Sequence, residues 1–119
     1  MLNSAPILIV EDEPYIALEL QESVQEAGGK VVGPVGSVRE ALALLEKFVV
    51  AAAILDMQLS DGDVTPVAEA LVARGVPVVI QSGVNPPTEL RWLCPEGVIY
   101  EKPVPPHLII EKLAELIKK

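Results

Sequence analysis

Cysteine is nearly absent from this chain. Cys94 stands alone, which excludes an internal disulfide and a thiolate zinc site and suits a reducing compartment. Basic residues are also scarce: nine Lys plus Arg face seventeen Asp plus Glu, for a formal net charge of -8. A surface of that sign repels phosphate backbones and anionic lipid, so neither nucleic acid nor a membrane is an expected partner. Long apolar runs are missing too. The longest, "FVVAAAIL" over 48–55, falls far short of the roughly 20 residues that span a bilayer. The N-terminus shows no basic segment followed by a long apolar core, so no signal peptide is expected. There is no internal repeat and no low-complexity tract. Together these absences leave a soluble, cytoplasmic protein as the expectation.

What remains is a chain of 119 residues, half of them apolar, which fits one domain over 1–119 with a hydrophobic core of its own. Short apolar runs alternate with helical patterns. "ILIV" (7–10) reads as a first strand, followed by a helix over 14–27 with Pro14 at its first position and Gly28-Gly29 beyond its end. "KVVG" (30–33) reads as a short second strand, and "SVRE" (37–40) as a capping box opening a second helix. "VVAAAIL" (49–55) has the continuous apolar character of a strand covered on both faces. Thr65-Pro66 offers an N-cap and first-turn proline for a third helix ending at Gly75, and "PVVIQS" (77–82) follows as a fourth strand. Prolines 86, 87 and 95 leave room for two helical turns at most between it and the fifth strand, "GVIY" (97–100). Residues 105–118 read as the last helix. Five strands alternating with helices predict an α/β fold, a doubly wound parallel sheet of flavodoxin-like order 2-1-3-4-5. In such sheets ligands bind beyond the carboxyl ends of the strands.

The polar residues gather at that edge. Glu11 and Asp12 close strand one, Asp56 closes strand three, Ser82 closes strand four, and Lys102 follows strand five by two residues. Carboxylates held together repel unless a cation neutralises them, and hard oxygen ligands favour Mg²⁺. A phosphoryl group arriving there can be held by Lys102 as a point charge and by the Ser82 hydroxyl, while one carboxylate acts as nucleophile. Asp56, alone at the end of a central strand, is the best candidate. Glu13 reads as a helix cap. His107 reads as a surface residue, Trp92 as a packing residue and Cys94 as incidental, since none has a partner at functional spacing.

In order and spacing, "ILIVEDEP", "AAILDMQLSDGD", "VVIQSG" and "EKP" resemble the receiver domain of two-component response regulators (CheY-like), over essentially the whole chain. The resemblance implies that Asp56 accepts phosphorylation from a histidine kinase or phosphotransfer protein. It implies that Glu11, Asp12, Asp56 and the main-chain carbonyl of Gln58 hold Mg²⁺, and that Lys102 binds a phosphoryl oxygen. Ser82 would be the switch hydroxyl, and the Lys102–Pro103 bond is often cis in this family. The phosphorylated form would change its affinity for a downstream protein target, with the chain a monomer or weak dimer and not an enzyme beyond its own phosphorylation and dephosphorylation. No output domain follows the fifth helix in this sequence, which leaves two expectations open: a single-domain regulator working by protein contact, or a domain cut from a longer protein.

Two departures stand out. The aromatic that completes the switch in many receivers stands three residues before the lysine, where this chain has Ile99; Tyr100 comes one residue later and so faces the other way. "VVIQSGVNPP" resembles a FATGUY-like subgroup with a reduced fourth helix, only in part, since Ile80 and Val84 replace its aromatics. Segment 83–95 is expected to be the most mobile, and Gln58 and Val84 to flank the phosphoryl group and tune its lifetime. These departures keep a phosphorylation-independent interaction module as the alternative. A haloacid-dehalogenase-type phosphatase needs a second aspartate two residues after the nucleophile, where Gln58 stands. A flavodoxin needs a hydroxyl- and amide-rich phosphate loop in place of three acids.

Overall fold

The computed structural model describes residues 1–83, 88–94 and 98–118. The chain runs β1 (Pro6–Val10), α1 (Pro14–Glu26), β2 (Lys30–Val35), α2 (Val38–Lys47), β3 (Ala52–Asp56), β4 (Gln58–Leu59), β5 (Gly62–Asp63), α3 (Thr65–Ala73), β6 (Val78–Ser82), α4 (Thr88–Leu93), β7 (Ile99–Glu101) and α5 (Pro106–Lys118). β2, β1, β3, β6 and β7 form one parallel sheet in that order. This is the expected doubly wound order, with the two-residue ribbon β4–β5 as the addition.

Strand alternation builds two cores, one on each side of the sheet. Leu8, Val10, Ala53, Leu55 and Ile80 face α2, α3 and α4, where Ala41, Leu45, Leu71 and Leu90 meet them. Ile7, Ile9, Ala52, Ile54 and Val79 face α1 and α5, against Leu20, Val24, Ile109 and Leu113. Every residue of β3 and β6 is buried, as strands covered on both faces must be.

Several local expectations change. β2 runs on to Val35, with an irregularity where β1 passes from Leu8 to Val10. Gly33 sits there at φ +101°, and a Cβ on it would meet the Ile9 carbonyl oxygen at 2.9 Å, so only glycine fits. β3 begins at Ala52 rather than Val49; Phe48 and Val49 lie on the surface, Val49 91% exposed, because the buried sheet ends before them. Thr65 is not the cap of α3 but its first residue, and the cap position, Val64, offers no side-chain hydrogen bond. Asp63 Oδ1 accepts from Thr65 N–H at 2.8 Å instead. Trp92 is 78% exposed and is not a packing residue. The Glu13 cap holds: its Oε2 accepts from Ile16 N–H at 2.9 Å. Among the described residues, two peptide bonds are cis, Gly33–Pro34 and Lys102–Pro103. Among the described residues, no helix is long and apolar enough to cross a membrane.

Candidate functional site

The site is made where β1, β3 and β6 run out of apolar residues at the same level. Val10 pairs with Leu55, so the next residues, Glu11 and Asp56, stand side by side, and Asp56 pairs with Gln81. The α1 N-terminus begins at once after Asp12, which stays exposed while Glu11 and Asp56 are buried. Gly36, from the β2–α2 loop, lets this turn close up: a Cβ there would sit 3.3 Å from the Asp12 Cα. Carboxylate oxygens of Glu11, Asp12 and Asp56 lie within 4.8 Å of one another, a group that can hold a metal ion.

Lys102 completes the cluster from the far edge of the sheet. Its main-chain N–H donates to the Ser82 carbonyl at 2.9 Å, anchoring the residue beside β6. Its Nζ reaches 3.3 Å from Glu11 Oε1 and 3.3 Å from Asp56 Oδ1. Burial alone would lower the Lys102 ammonium, but the charges of Glu11 and Asp56 outweigh it and hold it above its usual value. Burial also pushes the Glu11 carboxyl up to about 7, with a shared hydrogen bond to Asp56 and that group's charge adding to it. The Glu13 N–H and Lys102 pull the other way. One cation for a group of three acids leaves this pocket electrostatically incomplete.

Ser82 ends β6 on the opposite face of the sheet, where its Oγ donates to Met57 Sδ at 3.3 Å. Ile99 packs into the core on that same side, whereas Tyr100 packs into the other core with α5. Tyr100 therefore does not meet Ser82 as a switch partner, since the sheet separates their side chains. Gln58 stands two residues after Asp56, at the start of β4, with its side chain exposed. Val84, expected to flank the site, lies outside the described residues, as do 85–87 and 95 of the segment expected to be mobile. Its described helix, α4, is six residues long. His107 is exposed, and Cys94 is buried with its thiol pushed up by that burial.

Three contributions were missed by reading the sequence. Asp61 accepts from Val38 N–H at 2.7 Å and Arg39 N–H at 3.1 Å, capping α2 from the loop that follows Asp56. Its neighbour Ser60 donates to the Gly36 carbonyl at 3.2 Å. Gln81 is buried in the rank beside Asp56. For Gln81 a signal existed, since it is the single polar interruption in "PVVIQS" before the terminal serine.

No protein-family model and no curated protein matches the chain. Solved structures do. The solution structure of SdrG from Sphingomonas melonis Fr1 is 34% identical over 100% of both chains, with a TM-score of 0.77. The BeF3-activated conformation of SdrG from Pseudomonas melonis Fr1 is 37% identical, over 98% of this chain and 99% of that one, with a TM-score of 0.73. A response regulator receiver domain protein (CheY-like) from Methanospirillum hungatei JF-1 shares the fold at a TM-score of 0.82 and 24% identity, over 96% of this chain and 94% of that one. With its acids and lysine gathered at the carboxyl edge of a 2-1-3-4-5-type sheet and this likeness running the length of both chains, the protein belongs to the receiver-domain family of response regulators.

Proposed function

We propose that the chain is a phosphoaccepting receiver of a two-component relay, taking a phosphoryl group on Asp56 from a phosphohistidine of a histidine kinase or phosphotransfer protein. The observation that supports it best is the placement of Lys102 Nζ 3.3 Å from both Glu11 and Asp56. It sets one cation against the proposed nucleophile, in a pocket whose acids call for a second. The donor set fits Mg²⁺: Glu11, Asp12 and Asp56 offer hard oxygens within 4.8 Å of one another. In this reading the Gln58 main-chain carbonyl joins them. Bound there, Mg²⁺ supplies positive charge against the phosphoryl oxygens.

The chain's own residues do the rest. An Asp56 carboxylate oxygen attacks phosphorus, the P–N bond to the donor imidazole breaks, and its electron pair returns to the ring nitrogen. Lys102 turns its ammonium from Asp56 toward a phosphoryl oxygen, and the Ser82 hydroxyl donates to another. The resulting acyl phosphate shifts a two-state equilibrium, favouring the state in which these donors converge on it. Chemistry on other substrates is no part of this role. That SdrG has a BeF3-activated conformation supports the reading, because beryllofluoride on a carboxylate imitates a phosphoryl group.

Intact-mass measurement after incubation with a small phosphodonor, with and without Mg²⁺, tests it. One added phosphoryl group is expected for the native chain with Mg²⁺, and none for Asp56→Asn. The position of Tyr100, turned from Ser82, favours the second reading, an interaction module that never uses phosphorylation. No mass change together with no Mg²⁺ binding would select that one.

A further inference from the structure

The loop after Asp56 folds back on itself. Gln58–Leu59 and Gly62–Asp63 pair as the antiparallel ribbon β4–β5, with Ser60 and Asp61 as its turn. Met57 anchors the base: its N–H donates to the Gln81 carbonyl at 2.9 Å, and its carbonyl accepts from Val64 N–H at 2.8 Å. Leu59 is buried in the core, whereas Gln58 and residues 60–63 are exposed. So short a ribbon needs support, since even a full hairpin is marginal alone. Support comes at the turn. Asp61 Oδ1 accepts from Val38 N–H at 2.7 Å and Oδ2 from Arg39 N–H at 3.1 Å, and Ser60 Oγ donates to the Gly36 carbonyl at 3.2 Å.

The helix does not depend on these bonds for its cap. Ser37 already closes that end of α2: its Oγ accepts from Glu40 N–H at 3.1 Å and donates to Glu40 Oε1 at 3.0 Å. Water can serve the two N–H groups that Asp61 takes. What Asp61 adds is a link between segments. Glu11 N–H donates to the Val35 carbonyl at 2.8 Å, and a Cβ on Gly36 would stand 3.3 Å from the Asp12 Cα. Segment 35–39 therefore meets the Glu11–Asp12 turn on one side and the turn of the ribbon on the other.

We propose that Asp61, helped by Ser60, is a positioning residue of the metal site, fixing the loop that carries Gln58 against the turn that carries Asp12. This rests on the receiver reading, in which the Asp12 carboxylate and the Gln58 carbonyl are both arms of the Mg²⁺ site. Mg²⁺ demands near-ideal octahedral geometry, so one loose arm weakens binding even with every ligand present. Asp61 is not itself a ligand; it acts through the two loops.

The test is an NMR titration of the full chain with MgCl₂, beside melting curves. Asp61→Ala should weaken Mg²⁺ by about tenfold, the lower end of what losing a support behind the ligands costs. It should also lower the ¹⁵N heteronuclear NOEs of 58–62 before any metal is added. Asp61→Asn removes the same charge but keeps one accepting oxygen, so it should recover most of the affinity. Ser37→Ala removes the helix's own cap, and should cost melting temperature without moving the Mg²⁺ affinity or the NOEs. Three results would overturn the proposal: native affinity in Asp61→Ala, an asparagine variant as weak as the alanine one, or equal weakening by Ser37→Ala. The second would mean charge alone, and the third helix stability alone. If Asp61→Ala fails to fold, Ser60→Ala decides, by weakening Mg²⁺ or by leaving it unchanged. A native chain that binds no Mg²⁺ would sink the metal reading and this proposal together, whereas full affinity in Asp61→Ala sinks this proposal alone.

Discussion

The two faces of the sheet end differently. Toward α1 and α5, the carboxyl edge carries Glu11, Asp56 and Gln81, with Tyr100 next in register. Toward α2, α3 and α4, the same edge carries Ser82 against Met57, with Ile99 behind them. Charge lies on one side, and a hydroxyl over an apolar bed lies on the other. Among the described residues they meet at the rim, where Lys102 bonds through its backbone to Ser82 and through its ammonium to the acids. In the proposed receiver role, a switch would work over the rim rather than through a serine–tyrosine pair inside the sheet.

Removing the rim lysine should break the comparison most. Lys102→Ala leaves Glu11 and Asp56 facing each other without their cation. Phosphoryl acceptance should fall by roughly 10²–10³-fold, the scale of losing one charge-stabilising donor, while Mg²⁺ binding persists. Intact-mass time courses and calorimetry check both. An unimpaired rate would mean that the lysine is only structural.

Next in size is the pH response of the acidic side. Glu11 must ionise to bind a metal, and its carboxyl stands at about 7. Mg²⁺ affinity should weaken as pH falls through that value, by up to about tenfold per unit for one displaced proton. Without metal the sign reverses. The unfolded carboxyl ionises near 4.5, so metal-free stability should drop as pH rises from there to about 7. Calorimetric titrations and thermal melts across this range read the two trends, and flat profiles would remove Glu11 from the metal site.

A smaller effect sharpens the division between faces. Ser82→Ala and Tyr100→Phe should change stability additively, within about 0.5 kcal/mol, because their side chains lie on opposite sides of the sheet. Coupling well above that in denaturant unfolding would mean that the two side chains communicate after all.

The smallest effect concerns the loop beyond Asp56. Asp61→Ala removes the carboxylate that caps α2 and should lower the melting temperature slightly. The Val38 and Arg39 N–H groups hold the Asp61 carboxyl below its usual value. Its contribution is thus complete above the unfolded pKa and fades as pH drops through the folded one. Native and variant melting curves should converge in acid.

Much of this was legible beforehand. Apolar runs alternating with helical patterns determined the doubly wound sheet, because burial on two faces demands that period and order. Residues that end those runs, Glu11, Asp12, Asp56, Ser82 and Lys102, were found because the strand ends of such a sheet converge on one edge. Even the turning away of Tyr100 could be read, since one residue of shift in a strand reverses the face. Other features needed the folded chain. That Lys102 spans two carboxylates, that Asp61 caps a helix more than twenty residues earlier, and that Gly36 closes against Asp12 are contacts between segments distant in sequence. Local pattern records which face a residue takes. Only the packing of one element against another decides what it meets there.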